Sequence, residues 1–167
     1  MAFEIERKFL VLGDAWKMVA GESAYIRQAY LSSHDKASIR VRIRDNLKAT
    51  LTVKSRGPSL RRHEFEYVIP VLDAEVMLAL RCGAIIEKHR ATVLDNGHTW
   101  EIDTFLGENA GLIIAEIELR SEDQSFSRPP WIGPEVTGQA SYYNSALTAR
   151  PFGRWTREDR LVADLEP

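Results

Sequence analysis

A chain of 167 residues, 44% hydrophobic and 28% charged with a formal net charge of -2, has the size and composition of one domain with one buried core. That balance argues against disorder and against a basic nucleic-acid coat, so any charge specialisation has to be local. The only cysteine, Cys82, excludes an intrachain disulfide, the first ten residues lack the apolar run of a signal peptide, and no stretch approaches the roughly 18 apolar residues of a spanning helix. The expectation is a single cytoplasmic domain over residues 1–167, with 151–167 as a C-terminal tail and with neither membrane nor nucleic acid as a partner.

In chain order, period-two alternation predicts strands over Phe3 to Val11, Tyr25 to Leu31, Ser38 to Arg44, Ala49 to Ser55, Arg62 to Ile69, Ile85 to Leu94, Thr99 to Phe105 and Gly111 to Arg120. Turn-like segments separate them: SSHDK, DN, SRGPS and the hairpin signal DNG. Helical signals are fewer. Asp14 can start a short helix through AWKMVAG, Asp73 can cap one through AEVMLALRC that Gly83 stops, and a third follows Ser141 through YYNSALTAR to Pro151. SRPPWIGPEVTG reads as a loop from its prolines and glycines, and the tail RWTREDRLVADLEP as helical or loosely docked. Eight strands with helices near Asp14 and Asp73 predict an α+β domain whose mainly antiparallel sheet closes into a barrel.

Strand parity sorts the charges. Glu4, Glu6 and Lys8 share one face of EIERKF while Ile5 and Phe9 share the other, and Arg40, Arg42 and Arg44 oppose Ile39, Val41 and Ile43 in SIRVRIRD. The same grammar sets Lys54 against Val53, Glu64 and Glu66 against Phe65, Lys88 and Arg90 together, Glu101 and Asp103 against Ile102, and Glu116 and Glu118 against Ile117. A solvated sheet face would intersperse signs with Ser, Thr and Gln, whereas like charges at i and i+2 repel unless something compensates them. A barrel with its apolar faces outward supplies that setting: an interior where carboxylate pairs suit Mg²⁺ or Mn²⁺ and where the basic side chains suit a polyanion. A barrel for an apolar ligand would leave the carboxylate pairs unexplained. The four histidines, His34, His63, His89 and His98, have no ligand spacing, and Cys82 reads as a small buried filler.

The segments EIERKFLV, IRVRIR, LTVKS, EFEYVI, IEKHR, EIDTF, AEIEL and YYNSAL, in this order over residues 3–150, resemble the CYTH family of triphosphate tunnel metalloenzymes. The resemblance implies an eight-stranded antiparallel barrel built from a duplicated β-α-β-β-β unit. It implies two bound Mg²⁺ or Mn²⁺ ions held by Glu4, Glu6, Asp103, Glu116 and Glu118. It places Lys8, Arg42, Arg44, Lys54, Lys88 and Arg90 on the triphosphate, with Glu64 and Glu66 as a second acidic pair beside it. The catalytic group is then Glu4, Glu6, Lys88, Glu116 and Glu118. Arg40 is expected at the tunnel rim, and Gln28 and Tyr30 near the tunnel, with packing the commoner role for such a Tyr. Relatives often carry a base where this chain has Ala140 and Ser141, a gap that Arg150 or Arg154 could fill. Several members pair as homodimers.

The implied activity is metal-dependent hydrolysis of a triphosphate, with inorganic tripolyphosphate favoured because no second motif for a nucleobase is apparent. The same parts could serve a class IV adenylate cyclase or a thiamine triphosphatase, and a non-catalytic sensor of polyphosphate or nucleotide would need the same tunnel.

Overall fold

Eight strands form where the period-two alternation runs, and a ninth beyond it. The computed structural model describes residues 3–33, 36–57 and 61–161. Its strands are β1 (Phe3–Val11), β2 (Ala24–Ser33), β3 (Ala37–Arg44), β4 (Lys48–Ser55), β5 (Arg61–Ile69), β6 (Cys82–Asp95), β7 (His98–Phe105), β8 (Ile113–Glu118) and β9 (Ile132–Glu135), with helix α1 (Val71–Ala79) between β5 and β6. Neighbouring strands run antiparallel in the order β5-β4-β3-β2-β6-β7-β8-β1, and β1 pairs back onto β5, closing an eight-stranded barrel. The ninth strand hydrogen-bonds to the outer end of β1 through Phe9 and Val11. Strand β1 therefore serves three partners in succession, β5 near Glu4, β8 from Glu6 to Leu10, and β9 at its end.

The order of elements repeats once: strand, helical turn and a three-stranded meander over β1 to β4, then the same over β5 to β8. Around the barrel β1 corresponds to β5 and β2 to β6, and each of those pairs is hydrogen-bonded directly. Two tight turns hold the meanders. Asp45 and Asn46, with φ of 52° and 55°, join β3 to β4, and Asn96 and Gly97, with φ of 45° and 76°, join β6 to β7. Left-handed conformation at both central residues matches the twist of a hairpin, which is why Asn, Asp and Gly occupy these positions.

Apolar residues pack mostly outside the barrel. Ile5, Phe9, Val93, Trp100, Ile102 and Ile117 form one outer layer under Trp16, Trp131 and Ile132, with Phe9 and Trp100 in edge contact at 5.6 Å. A second layer, Ala29, Val41, Ile43 and Ala49, is covered by Ala74 and Leu78 of α1. A third cluster fills one end of the barrel, where Ile86, Phe105 and Ile114 share the inward parity and are capped by Tyr142, Leu147 and Trp155. These layers leave only the middle and the opposite end of the barrel for the charges.

The helices differ from their sequence signals, α1 in place and the other two in length. Helix α1 starts at Val71 behind Pro70 rather than at Asp73, which instead places its acid in the first turn, and it ends at Ala79. The Asp14 segment makes only the 3₁₀ turn Ala15–Met18, and the segment after Ser141 makes Ala140–Tyr142 and Asn144–Leu147. Cys82 is exposed at the start of β6, not a buried filler, because the chain has already left the helix. His34 and residues 162–167 lie outside the described residues. Among the described residues no helix is long and apolar enough to cross a membrane.

Gly83 sits where β6 leaves that helix, with φ of 77°, and a Cβ built there would meet the Thr148 carbonyl oxygen at 2.9 Å. Both the left-handed backbone and the close approach exclude a side chain. Gly83→Ala is expected to cost about 1–3 kcal/mol, read as a lowered midpoint in urea unfolding with an unchanged slope. A midpoint equal to that of the parent would show that the turn relaxes freely.

Candidate active site in a charged barrel interior

Cross-strand register assembles the site from the alternation. Glu6 faces Glu118 and Lys8 faces Glu116 across β1 and β8, Arg90 faces Asp103 across β6 and β7, and Lys54 faces Glu64 across β4 and β5. These side chains enclose a cavity of about 1130 Å³, lined among others by Glu4, Glu6, Lys8, Arg40, Arg42, Lys54, Arg62, Glu64, Glu66, Arg90, Glu101, Glu116 and Glu118.

The carboxylates and cations are interleaved rather than separated. Lys8, itself buried, bridges Glu6 and Glu116. Lys54 bonds Glu4 and lies 3.3 Å from Glu6 and 3.4 Å from Glu64, while Arg62 approaches Glu4 and Glu6 at 3.5 Å each. Arg90 joins Glu116 at 2.7 Å, Asp103 at 2.6 Å, and Glu101. Arg40 is held loosely, at 3.8 Å from Glu64 and 3.7 Å from Glu66.

Electrostatics follow from this interleaving. Burial pushes the Glu6 carboxyl up, but Lys8 and Lys54 outweigh it and hold it down at about 2. Burial is likewise outweighed at Glu116, where Lys8 and Arg90 hold the carboxyl at about 2 against the repulsion of Glu6. Glu118 goes the other way. Burial and then the neighbouring Glu4, Glu101 and Glu6 push its carboxyl above the usual range, with Lys54 only partly opposing. This corner of the cavity is short of positive charge.

Glu6 and Glu116 make stability pH-dependent. Their carboxyls titrate lower in the folded chain than in the unfolded one, so their contribution is complete above about pH 4.5 and is lost as pH falls toward 2. At 1.36 kcal/mol per unit the loss is up to about 3 kcal/mol for each group, and less than the sum for the coupled pair. Urea midpoints measured between pH 6 and pH 2.5 are expected to fall steeply below pH 4.5, and a flat profile would contradict the pairing.

Several expected site residues stand elsewhere than parity suggested. Arg44 does not line the cavity: it lies at the end of β3, half exposed and 3.6 Å from Asp45. Asp103 and Lys88 are fully buried beneath the lining. Asp103 Oδ1 accepts from Arg90 Nε at 2.6 Å, and Oδ2 from Lys88 at 2.5 Å and from Arg90 at 2.6 Å, so its oxygens are committed to cations. Burial pulls the Lys88 ammonium down to about 8 although Asp103 opposes this, with Arg90 adding to the fall.

Arg40 lies in the cavity wall rather than only at a rim, and Tyr30 lines the cavity as well. Arg62 escaped the sequence reading although it shares the parity of Glu64 and Glu66. Its position as second residue of β5 hid it. Arg150 and Arg154 do not fill the gap at Ala140 and Ser141, since they pair with Asp159 and Glu108 on the outside. Arg56 lines that mouth instead, donating to Ser145 Oγ at 3.1 Å. His98 lines the cavity near Gln124, with its Nε2 at 3.1 Å from the Gln124 amide.

Comparison with known proteins agrees with this geometry. The CYTH domain model matches residues 2–149. The chain belongs to the CYTH family. Within that family it is 48% identical over 153 residues to an inorganic triphosphatase of Acetivibrio thermocellus, covering 91% of this chain and 97% of the relative. It is 39% identical over 150 residues to an inorganic triphosphatase of Nitrosomonas europaea, covering 86% and 95%. Among solved structures, the inorganic triphosphatase NE1496 superposes with a TM-score of 0.63 at 36% identity, over 89% of this chain and 95% of that one. A protein from Hippeastrum described as a putative adenylyl cyclase with a dominant triphosphatase activity shares the fold, with a TM-score of 0.56 at 17% identity, over 71% of this chain and 80% of that one.

Proposed function

We propose that this CYTH protein hydrolyses a triphosphate, with inorganic tripolyphosphate as the favoured substrate, in a reaction that requires Mg²⁺ or Mn²⁺. The observation that carries the reading is the composition of the barrel wall. The barrel strands turn seven cations, Lys8, Arg40, Arg42, Lys54, Arg62, Lys88 and Arg90, toward eight carboxylates, Glu4, Glu6, Glu64, Glu66, Glu101, Asp103, Glu116 and Glu118, and Arg56 and Arg120 also line the cavity. So nearly neutral a lining does little by itself to draw in a chain of four or five negative charges. Bound divalent cations would supply the positive charge that such an anion needs.

The carboxylates fit such cations by their chemistry. Among the described residues no three acids already stand in a ready metal-binding arrangement, because Lys8, Lys54 and Arg90 take their oxygens. Glu4, Glu6, Glu116 and Glu118 are nonetheless hard oxygen donors on neighbouring strands, and the raised Glu118 carboxyl marks where a cation is wanted. These four would hold the metal. When bound, a divalent ion neutralises phosphate oxygens and makes a coordinated water more acidic.

The protein's own groups do the rest. The salt bridges of Lys8 and Arg90 tie up carboxylates that would hold the metal, and each cation, once free of its carboxylate, can take a phosphate oxygen. Lys8, Lys54, Arg42 and Arg90 bind the polyphosphate along the cavity, Arg in two-point contacts and Lys as a point charge. Water attacks the terminal phosphorus in line, the bridging P–O bond breaks, and pyrophosphate leaves with phosphate as co-product. Lys88 and Asp103 act below the lining by fixing Arg90. The contribution is positioning and electrostatics rather than covalent chemistry.

Substrate choice tests the reading directly. Phosphate release is measured in parallel from tripolyphosphate, ATP and thiamine triphosphate with Mg²⁺ or Mn²⁺, and cyclic AMP is followed in the ATP arm. Release from tripolyphosphate well above the other two is expected. Cyclic AMP without phosphate would convert the reading to a cyclase, and tight binding with no turnover would convert it to a sensor.

A further inference from the structure

Of the seven cavity-side cations carried by the barrel strands, six touch a carboxylate. Arg42 does not. Among the described residues it makes no salt bridge, and its Nε donates instead to Gln28 Oε1 at 3.0 Å. Gln28 faces Arg42 across β2 and β3, is fully buried, and its own Nε2 has no hydrogen-bond partner. Partly burying a guanidinium without a carboxylate and fully burying an amide without an acceptor are both unfavourable, and here they fall on adjacent side chains. A glutamate has nearly the shape of glutamine and would satisfy Arg42 as its neighbours are satisfied. The neutral amide orients the guanidinium without cancelling its charge.

We infer that Gln28 is a positioning residue that aims Arg42 into the cavity and leaves its charge uncompensated, reserving Arg42 for one end of the triphosphate chain. This rests on the proposed triphosphatase reading. Arg42 is then the fixed anion contact of the wall, whereas Lys8, Lys54 and Arg90 must first give up a carboxylate. Stability in the ligand-free state is sacrificed at one position so that a charge is ready for the substrate.

The test is Gln28→Glu, with melting temperature measured without ligand and KM and kcat measured on tripolyphosphate. A KM raised about 10- to 100-fold, a smaller change in kcat and a melting temperature equal to or above that of the parent are expected. A residue with a merely structural role would not move binding and stability in opposite directions. An unchanged KM, or a raised KM with a lowered melting temperature, overturns the inference. Should Gln28→Glu not fold, Gln28→Met decides by the same assay: KM raised several-fold at near-constant kcat supports the inference, and an unchanged KM overturns it. A parent protein that does not act on tripolyphosphate removes the triphosphatase reading and this inference together, whereas an active parent with an unaffected variant removes only the inference.

Discussion

Glu116→Gln is expected to lower tripolyphosphate turnover by about 100- to 1,000-fold while the barrel stays folded. Glu116 is buried on β8, with one oxygen on Lys8 and the other on Arg90 at 2.7 Å. Its carboxyl stays ionised down to about pH 2, so at neutral pH it offers a full negative charge to a metal. Glutamine keeps the shape and one acceptor oxygen, and Lys8 retains Glu6 while Arg90 retains Asp103. The loss should therefore appear in kcat and in the metal concentration needed for half-maximal rate, with a melting temperature lowered by up to roughly 6–12 °C, the share of the carboxylate's charge in stability. A variant with more than a tenth of the parent rate would remove Glu116 from the metal site.

The second large effect concerns stability. Asp103→Leu should lower the melting temperature by roughly 6–20 °C, from a cost of about 3–5 kcal/mol at 2–4 °C per kcal/mol. Asp103 is fully buried and carries both Lys88 and Arg90. Without it Lys88 is left with Asn144 at 3.5 Å, a weak replacement. Adding Lys88→Met to Asp103→Leu should recover part of the loss, because removing both members of a buried pair costs less than orphaning one. A single variant that melts within about 2 °C of the parent would mean that the pair carries no net stability.

The strands were legible because the charged interior forces a strict alternation: Phe3–Val11 reads directly as β1, and SIRVRIR as β3. The ninth strand was not legible, since IGPE contains a proline and owes its pairing to the far end of β1 rather than to any alternation of its own. Parity also tells which face a side chain takes but not how far along the barrel it sits. That is why Arg44, of the right parity, falls beyond the cavity, and why Asp103 belongs to the buried support of Arg90. Helix α1 keeps the expected nine residues but begins at Val71 and sets Ala74 and Leu78 over Ala29, Val41, Ile43 and Ala49.

Site chemistry was more legible than site balance. The acidic pairs and the basic rows were visible one strand at a time, but pairing across strands decides who compensates whom. Only the closed barrel brings Arg62 beside Glu4 and Glu6 and leaves Arg42 to Gln28.

Coupling of metal and polyanion in one cavity is read out by phosphate release from tripolyphosphate by the purified protein, with Mg²⁺ or Mn²⁺ added and with a chelator. The expected result is rapid release with metal and almost none with the chelator. Equal release under both conditions, or none under either, would contradict it.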